Sequence, residues 1–436
     1  MAPDAVARHA PGAHWRYGLL GLPLAFVALP LYVTLPAHYG DTLGVPLAAL
    51  GGVLLASRLV DAVADPWIGR CADRWLDAAG PAGAQAPWRA IALAALVLLM
   101  GFWAVFMPPW QGTTALLAWC ALAVTATSLA FSACTIAHQA WGSRLGGDAV
   151  ERARWVAWRE GLALVGVLLA NGVAAAQGVL ALSITLTVCL AVGLWALRGA
   201  PAPHPAAGHS LAARGASVLH TGRDVWAAWR VGDFRRLLLI YLVNGVAAAM
   251  PATLVLFFIR DGVQRPDLTG LFLGAYFLTG ALSVPVWVRL IGHWGPSRAW
   301  AVGMVGHIAA FAGVLTVGPG DVAAYGAVCL ASGCMLGADL TAPGTLLTGV
   351  TQQAAREGLP GAEGEFTGWW ALVTKLNLAL AAGVTLPLLQ WWGYEPGARD
   401  PQALAALSWV YGGLPCAFKA LALALWWPLW ARRGGE

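Results

Sequence analysis

Charge is scarce in this chain. Of its 436 residues only 11% are Asp, Glu, Lys or Arg, against about a quarter in a soluble domain. Lysine is nearly missing: Lys375 and Lys419 are the two that occur, and the rest of the 26 basic residues are arginines. Such a composition excludes a disordered chain and an ordinary water-facing surface. It also gives no nucleic-acid patch, because the net charge of +5 sits on arginines scattered between apolar runs rather than gathered in one stretch. The seven cysteines contain no C-x-x-C pair and no His/Cys spacing suited to a metal. Most of them, such as Cys120, Cys134, Cys189 and Cys416, fall inside apolar runs and read as small hydrophobes. H-E-x-x-H, G-x-S-x-G and P-loop patterns are all missing. Metallo- and serine-hydrolase chemistry and ATP hydrolysis by this chain are therefore not expected, and neither is a bound cofactor.

What the chain has in abundance is apolar length. It is 59% hydrophobic, with a mean hydropathy of +0.67. About 20 apolar residues cross a bilayer as a helix. The runs are continuous rather than alternating, which argues against a β-barrel. Spans are expected near 16–37, 44–69, 88–107, 113–141, 153–176, 178–197, 235–259, 268–291, 299–317, 321–350, 366–391 and 402–431. The expected fold is thus an all-α membrane protein with twelve transmembrane helices. The first run has full span length and no clear small-x-small cleavage site, so it reads as a retained helix and not a signal peptide.

Between the sixth and seventh runs lies "RGAPAPHPAAGHSLAARGASVLHTGRDVWAAWRVGDFRR", rich in Ala, Pro, Gly and His. It reads as a linker with one amphipathic helix from about Thr221 to Val231. The organisation is a six-helix half over 1–197, a linker over 198–234 and a second six-helix half over 235–436. Arg70, Arg74, Arg89, Arg144, Arg152, Arg154, the linker arginines, Arg289, Arg298, Arg356, Arg432 and Arg433 share one side, and Arg260, Arg265 and Arg399 the other. By the positive-inside rule both termini and the linker are cytoplasmic, in what reads as a bacterial inner membrane. Two six-helix halves resemble the plan of a major facilitator transporter, in which solute binds near mid-membrane between halves. "GRCADR" (Gly69 to Arg74) also resembles that superfamily's G-x-x-x-D-R loop. "IGHWGPSR" (Ile291 to Arg298), its counterpart in the second half, lacks the aspartate.

Ionisable residues inside a span suggest function by default. The second span carries Arg58, Asp61 and Asp65 at i, i+3 and i+7, on one helix face. Such a face lines a cavity or pairs across the bundle. Two carboxylates one turn apart suit a proton or small cation, sodium included; a structural Arg–Asp pair is the other reading. On the fourth span Ser128, Ser132, Thr135 and Gln139 are spaced 4, 3 and 4. They form a stripe that either lines a solute path or glues helices together. Asp339 is a third buried carboxylate, in the second half, and Lys375 is a candidate partner for it. Lys419 reads as an end-of-span residue and receives no role.

"SRLVDAVADPWIGRCADR" resembles the glycoside–pentoside–hexuronide:cation symporter family, to which the melibiose carrier belongs. The pattern R-x-x-D-A-x-x-D-P-x-x-G-x-x-x-D-R is filled by Arg58, Asp61, Ala62, Asp65, Pro66, Gly69, Asp73 and Arg74. "AWGSRLGGDAVERARWVAWREG" (Ala140 to Gly161), "GADLTAPGTLL" (Gly337 to Leu347) and "GWWALVTKLNLALAAGVTLPLLQWWGYEPG" (Gly368 to Gly397) extend the likeness in order along the chain. The resemblance implies coupling by Asp61 and Asp65, a counter-ion role for Lys375 and a solute contact for Arg159. Lys375 also fits a structural salt bridge, and Arg159 an interfacial anchor. Ala64 stands where a sodium-using member has a polar residue, which favours protons over sodium.

The family's galactoside-binding aspartates are missing. Ala25 and Thr135 occupy their positions, and Gly349 and Gln352 stand where relatives carry acids. The expectation is a proton- or sodium-coupled symporter of a small glycoside or other organic solute, working by rocking of two halves, in the bilayer and as a monomer. Thr135, Gln139, Arg159 and Asp339 are the expected solute contacts. The alternatives are an exporter of an amphipathic compound and, more remotely, an intramembrane enzyme.

Overall fold

The computed structural model describes residues 12–77, 85–203, 226–359, 362–395 and 397–429. Every described segment of regular structure is helical. The path begins with α1 (13–42), made of Ala13–Gly18, Gly21–Leu29 and two π-helical turns, Pro30–Thr34 and His38–Thr42. There follow α2 (Leu47–Asp77), α3 (Gln85–Phe106), α4 (Thr113–Ser143), α5 (149–177) and α6 (Gly178–Arg198). After the linker come α7 (Gly232–Gly262), α8 (Thr269–Trp294), α9 (Pro296–Thr316), α10 (Val322–Arg356), α11 (Glu363–Trp391) and α12 (401–429, with a π turn at Trp409–Gly413).

Nine of these segments are long and apolar enough to cross a membrane by length and composition. The remaining three are α1, broken by its π turns, α2, which carries the aspartates, and α5, whose first turns hold Arg152, Arg154, Arg159 and Glu160. Large apolar side chains such as Leu93, Leu122, Trp195 and Leu282 point outward with about two thirds of their surface exposed. Water does not tolerate such a face over a whole molecule, whereas lipid requires it. The protein is a multi-pass integral membrane protein. Pro66, Pro251, Pro285, Pro343 and Pro387 lie inside helices, where neighbouring helices help to satisfy the freed carbonyls.

The division between α5 and α6 falls where the apolar runs placed it. The helix continues from Ala149 to Arg198 except at Gly178, whose φ is +73°. A residue with a Cβ resists that left-handed conformation, so glycine sets the break. The expected helix from Thr221 to Val231 lies mostly outside the described residues; the part described forms a 3-10 turn at Ala228–Arg230.

The chain forms two compact units. The first contains residues 1–231 together with 348–372, and the second 232–347 together with 373–436. In the first, α1 packs along α5 and α6, and α4 packs against α2 and α3. In the second, α12 packs on α7 and α9, and α8 on α9. The end of α10 and the start of α11 belong to the first unit although they come from the second half of the sequence.

Candidate functional site

The α2 aspartates are buried in the first unit. Asp61 is 6% exposed and Asp65 is fully covered. Four residues apart, they share the helix face turned toward α4. Ser132 of α4 donates a hydrogen bond of 2.7 Å to Asp61 Oδ1, and one turn earlier on α2 the Ser57 and Thr125 hydroxyls meet at 2.6 Å. Of the expected stripe on α4, Ser132 is therefore engaged with α2. Asp61 also opens on a cavity of about 30 Å³, lined by Val27 and Leu31 of α1, Arg58 of α2, and Ser128 and Phe131 of α4. That space has room for a water or a small ion. Arg58 places a cationic head at the rim, on the exposed side of α2. Thr135, one turn beyond Ser132, has a buried hydroxyl with no hydrogen-bond partner. Gln139 lies half-buried a further turn along.

A second polar centre stands where α2 ends and α11 begins. The guanidinium of Arg144, in the connection after α4, has 2% of its side chain exposed and reaches three carboxylates. It bonds Asp77 at 2.7 Å, Glu363 at 3.0 Å and Asp73 at 3.3 Å. Burial works against the charge, but Glu363, Asp77 and Asp73 outweigh it and hold the Arg144 pKa above the usual arginine value. Asp73 also accepts from the backbone N–H groups of Gly364 at 2.6 Å and Glu365 at 3.0 Å. These are first-turn donors of α11 that have no partner inside their own helix. Glu365 in turn accepts from the N–H of Ala228 at 2.7 Å, tying down the end of the linker. Gly69 makes this approach feasible, since a Cβ there would collide with the Gly364 carbonyl. From sequence Arg144 looked like a topological charge only. The G-x-x-x-D-R spacing was the signal that pointed at Asp73, but nothing local pointed at its partners.

The sequence profile of the family described as MFS/sugar transport protein matches residues 16–429. The chain belongs to this family. Among solved structures it is similar to an outward-facing bacterial homologue of the iron transporter ferroportin, with 16% identity, TM-score 0.66, and 96% of this chain and 99% of that one covered. It is also similar to the proton:xylose symporter XylE, with 12% identity, TM-score 0.64, and 95% and 94% covered. The fucose:proton symporter FucP of E. coli matches with 13% identity, TM-score 0.60, and 93% and 98% covered. At such identities these likenesses concern the fold. No curated protein matches the sequence. Family and fold together establish a membrane transporter of the major facilitator type with twelve helices, not an enzyme.

The other sequence-predicted residues of this family member fall as follows. Arg159, on α5, turns its guanidinium onto the neighbouring Glu160 carboxylate, with Nε at 3.0 Å and Nη2 at 2.7 Å from the same oxygen. It is thus charge-compensated within one turn, with 14% of its side chain exposed. His138, which was not among the residues singled out above, is occupied structurally: its Nε2 pairs with the Tyr17 carbonyl at 2.9 Å while Tyr17 donates back to the His138 carbonyl at 3.0 Å. Lys375 lies half-buried on the part of α11 that belongs to the second unit. Asp339 corrects an expectation. The ammonium against it is that of Lys419, at 2.7 Å, where Lys375 had been expected. Lys419 itself is fully buried and not an end-of-span residue.

Proposed function

We propose that this transporter is a proton-coupled symporter of a small polar organic solute such as a glycoside, with Asp61 and Asp65 carrying the coupling charge. The observation that carries the reading is a pair of buried carboxylates on α2, one of them held by Ser132 and facing a cavity of about 30 Å³. Taking up a proton neutralises a buried carboxylate and lowers the cost of moving it through a low-dielectric environment. A cavity of that size admits a proton-carrying water or a bare cation, not a sugar. Oxygen ligands from Asp61, Asp65 and Ser132 would also suit sodium. The alanine at position 64 offers it no further side-chain oxygen, which favours the proton.

In this reading Arg58 and Lys375 compensate the α2 charges at different stages, and Thr135, Gln139, Arg159 and Asp339 contact solute. Thr135 supports this best, because its buried hydroxyl has a bond to give. The Arg144 centre is a lock on the start of α11, made and broken as the transporter alternates. Both termini face the cytoplasm of a bacterial inner membrane, as the arginine distribution favours, and the monomer is the working unit. A second reading, export of an amphipathic compound, is favoured by the apolar wall of Val27, Leu31 and Phe131 beside Asp61.

Reconstituted vesicles separate these readings. One proton per solute allows about tenfold accumulation per pH unit of imposed gradient. Uptake that follows sodium but not the proton gradient, or accumulation that survives in both Asp61→Asn and Asp65→Asn, refutes the coupling assignment.

A further inference from the structure

Arg152, in the first turns of α5, is a cation without a matching acid. Its Nη1 donates to the Gly147 carbonyl at 3.0 Å and to Gln352 Oε1 at 3.2 Å. Both acceptors are neutral. Its Nε is buried and has no hydrogen-bond partner. The acids of the neighbouring turns are engaged elsewhere. Asp148 caps α5 through the N–H of Glu151 at 2.8 Å. Glu151 pairs with His14 at 2.9 Å and with Arg154 at 3.5 Å, and Glu357 accepts from Gln353 Nε2 at 2.8 Å. Among the described residues no carboxylate pairs with Arg152 or with Arg356. Burial pulls the Arg152 pKa below the usual arginine value, with Asp148 opposing the shift and Arg356 adding to it.

The end of α10 supplies the other wall. Gly349, Gln352 and Arg356 are spaced 3 and 4, on one face of that helix. Gln352 holds Arg152 against this face, and its own Nε2 is committed to the Ser143 carbonyl at 3.2 Å. A Cβ built on Gly349 would meet Arg152 Nη2 at 3.6 Å and, among the described residues, nothing else outside its own stretch of helix within 4 Å. Nη2 therefore borders unfilled space. Arg356 is exposed and ends α10 one turn beyond Gln352. All four residues belong to the first unit. A purely topological charge accounts for exposed arginines such as Arg154 and Arg356, but not for one drawn half under cover. A charged donor left buried and unpaired is costlier than a neutral one, and an apolar side chain would reach the same place without that cost.

We propose that Arg152 and Arg356 form a binding site for a phosphate group on the first unit. Nε and Nη2 are the edge by which a guanidinium takes two oxygens of one anion side-on. The anion enters from the Nη2 side, over Gly349, and Arg356 takes a further oxygen. Two guanidiniums suit an anion with more oxygens and more charge than a single carboxylate. The group arrives as soluble phosphate or on the headgroup of an anionic lipid, because the arginine-rich loops lie at the membrane surface. This site is separate from the α2 carboxylates and does not depend on their role.

The test uses full-length protein in uncharged detergent. In one arm, potassium phosphate is titrated against potassium chloride of equal ionic strength, and the thermal unfolding midpoint is followed. In the other, native mass spectrometry counts the lipid retained from mixed micelles of phosphatidylglycerol and phosphatidylcholine. A midpoint that rises with phosphate supports the site and identifies a soluble ligand. Selective retention of phosphatidylglycerol without such a rise supports it and identifies a headgroup. Arg152→Gln must raise the phosphate concentration or lipid fraction that gives half the response by at least about tenfold, as the loss of a charge-assisted pair requires. Gln352→Glu sets a carboxylate of the chain against Arg152 and must abolish the response. Arg356→Gln, at an exposed position, must weaken it and covers the case in which Arg152→Gln does not fold. No response in either arm, or an equal response in wild type and variants, overturns the site.

Discussion

Replacing Arg144 by methionine should release the start of α11. The guanidinium bridges Asp73, Asp77 and Glu363 at 2.7 to 3.3 Å. The Asp73 and Glu363 side chains are only 9% and 8% exposed, whereas Asp77 is 30% exposed and partly screened by solvent. Removing one member of a buried charge pair costs about 3–5 kcal/mol, because the other is left uncompensated. Here two buried carboxylates are left together, and Asp77 adds little. Taking the lower figure of about 3 kcal/mol, the equilibrium between locked and released α11 moves roughly a hundredfold. Thr367, 1% exposed on the first turns of α11, reports the change. In a cysteine-depleted background, Thr367→Cys should be alkylated about a hundred times faster when Arg144→Met is added. Arg144→Lys, which keeps the charge but lacks the fork that reaches three carboxylates, should fall between. Asp73→Asn should accelerate labelling less, since an asparagine oxygen still caps the helix. An unchanged alkylation rate in Arg144→Met would refute the lock.

Asp61→Asn and Asp65→Asn should each abolish accumulation driven by a pH gradient while solute exchange across equal pH survives, as read in vesicles. Ser132→Ala removes a charge-assisted bond worth about 1.5–3 kcal/mol and should cut gradient-driven uptake by roughly tenfold with exchange intact; full coupled activity would show that the Ser132 contact to Asp61 is dispensable. Gly178→Ala forces a Cβ into the left-handed region at a cost of about 1–2 kcal/mol and should lower the thermal unfolding midpoint by about one to two degrees, with an unchanged midpoint arguing against a fixed break there. Gly69→Leu should destabilise by about 1–3 kcal/mol through overpacking against Gly364, measurable as loss of monodisperse protein on heating.

The order of spans was legible because a bilayer demands about 20 apolar residues per helix, and the sequence supplies them in countable runs. The α5–α6 break was visible where one run ends and the next begins, at Gly178. Asp61 and Asp65 were legible because paired carboxylates on one face of an apolar helix are costly unless they face something. The partner of Asp339 was not legible. Lys375 and Lys419 each interrupt an apolar span, and a helix that is apolar on every side gives no periodicity from which to say which way its one lysine points. Asp339 and Lys419 are 80 residues apart in sequence, so only the packing of α12 beside α7 and α9 brings them together. Arg144 escaped notice for the same reason. Its three carboxylates come from α2 and from the start of α11, and no local pattern joins those segments.

The two buried charge sites differ in a way that bears on their roles. On α2 the two carboxylates outnumber the one arginine of their helix face, and Ser132 gives Asp61 a neutral donor. A neutral donor does not by itself cancel a negative charge in a low-dielectric surrounding. In the second unit Asp339 is matched by the Lys419 ammonium and by two neutral donors, and the sum of charges is zero. Adding a proton there leaves an unbalanced cation. Under the coupling proposed for Asp61 and Asp65, net proton binding from solution belongs to α2, and the balanced cluster of the second unit resists it. Charge balance alone thus predicts that Asp61→Asn alters the number of protons bound on mixing with solute, and that His307→Gln, on α9 of the second unit, leaves that number unchanged. Proton release measured in weakly buffered solution distinguishes the two, and an equal change in both variants would refute the distinction.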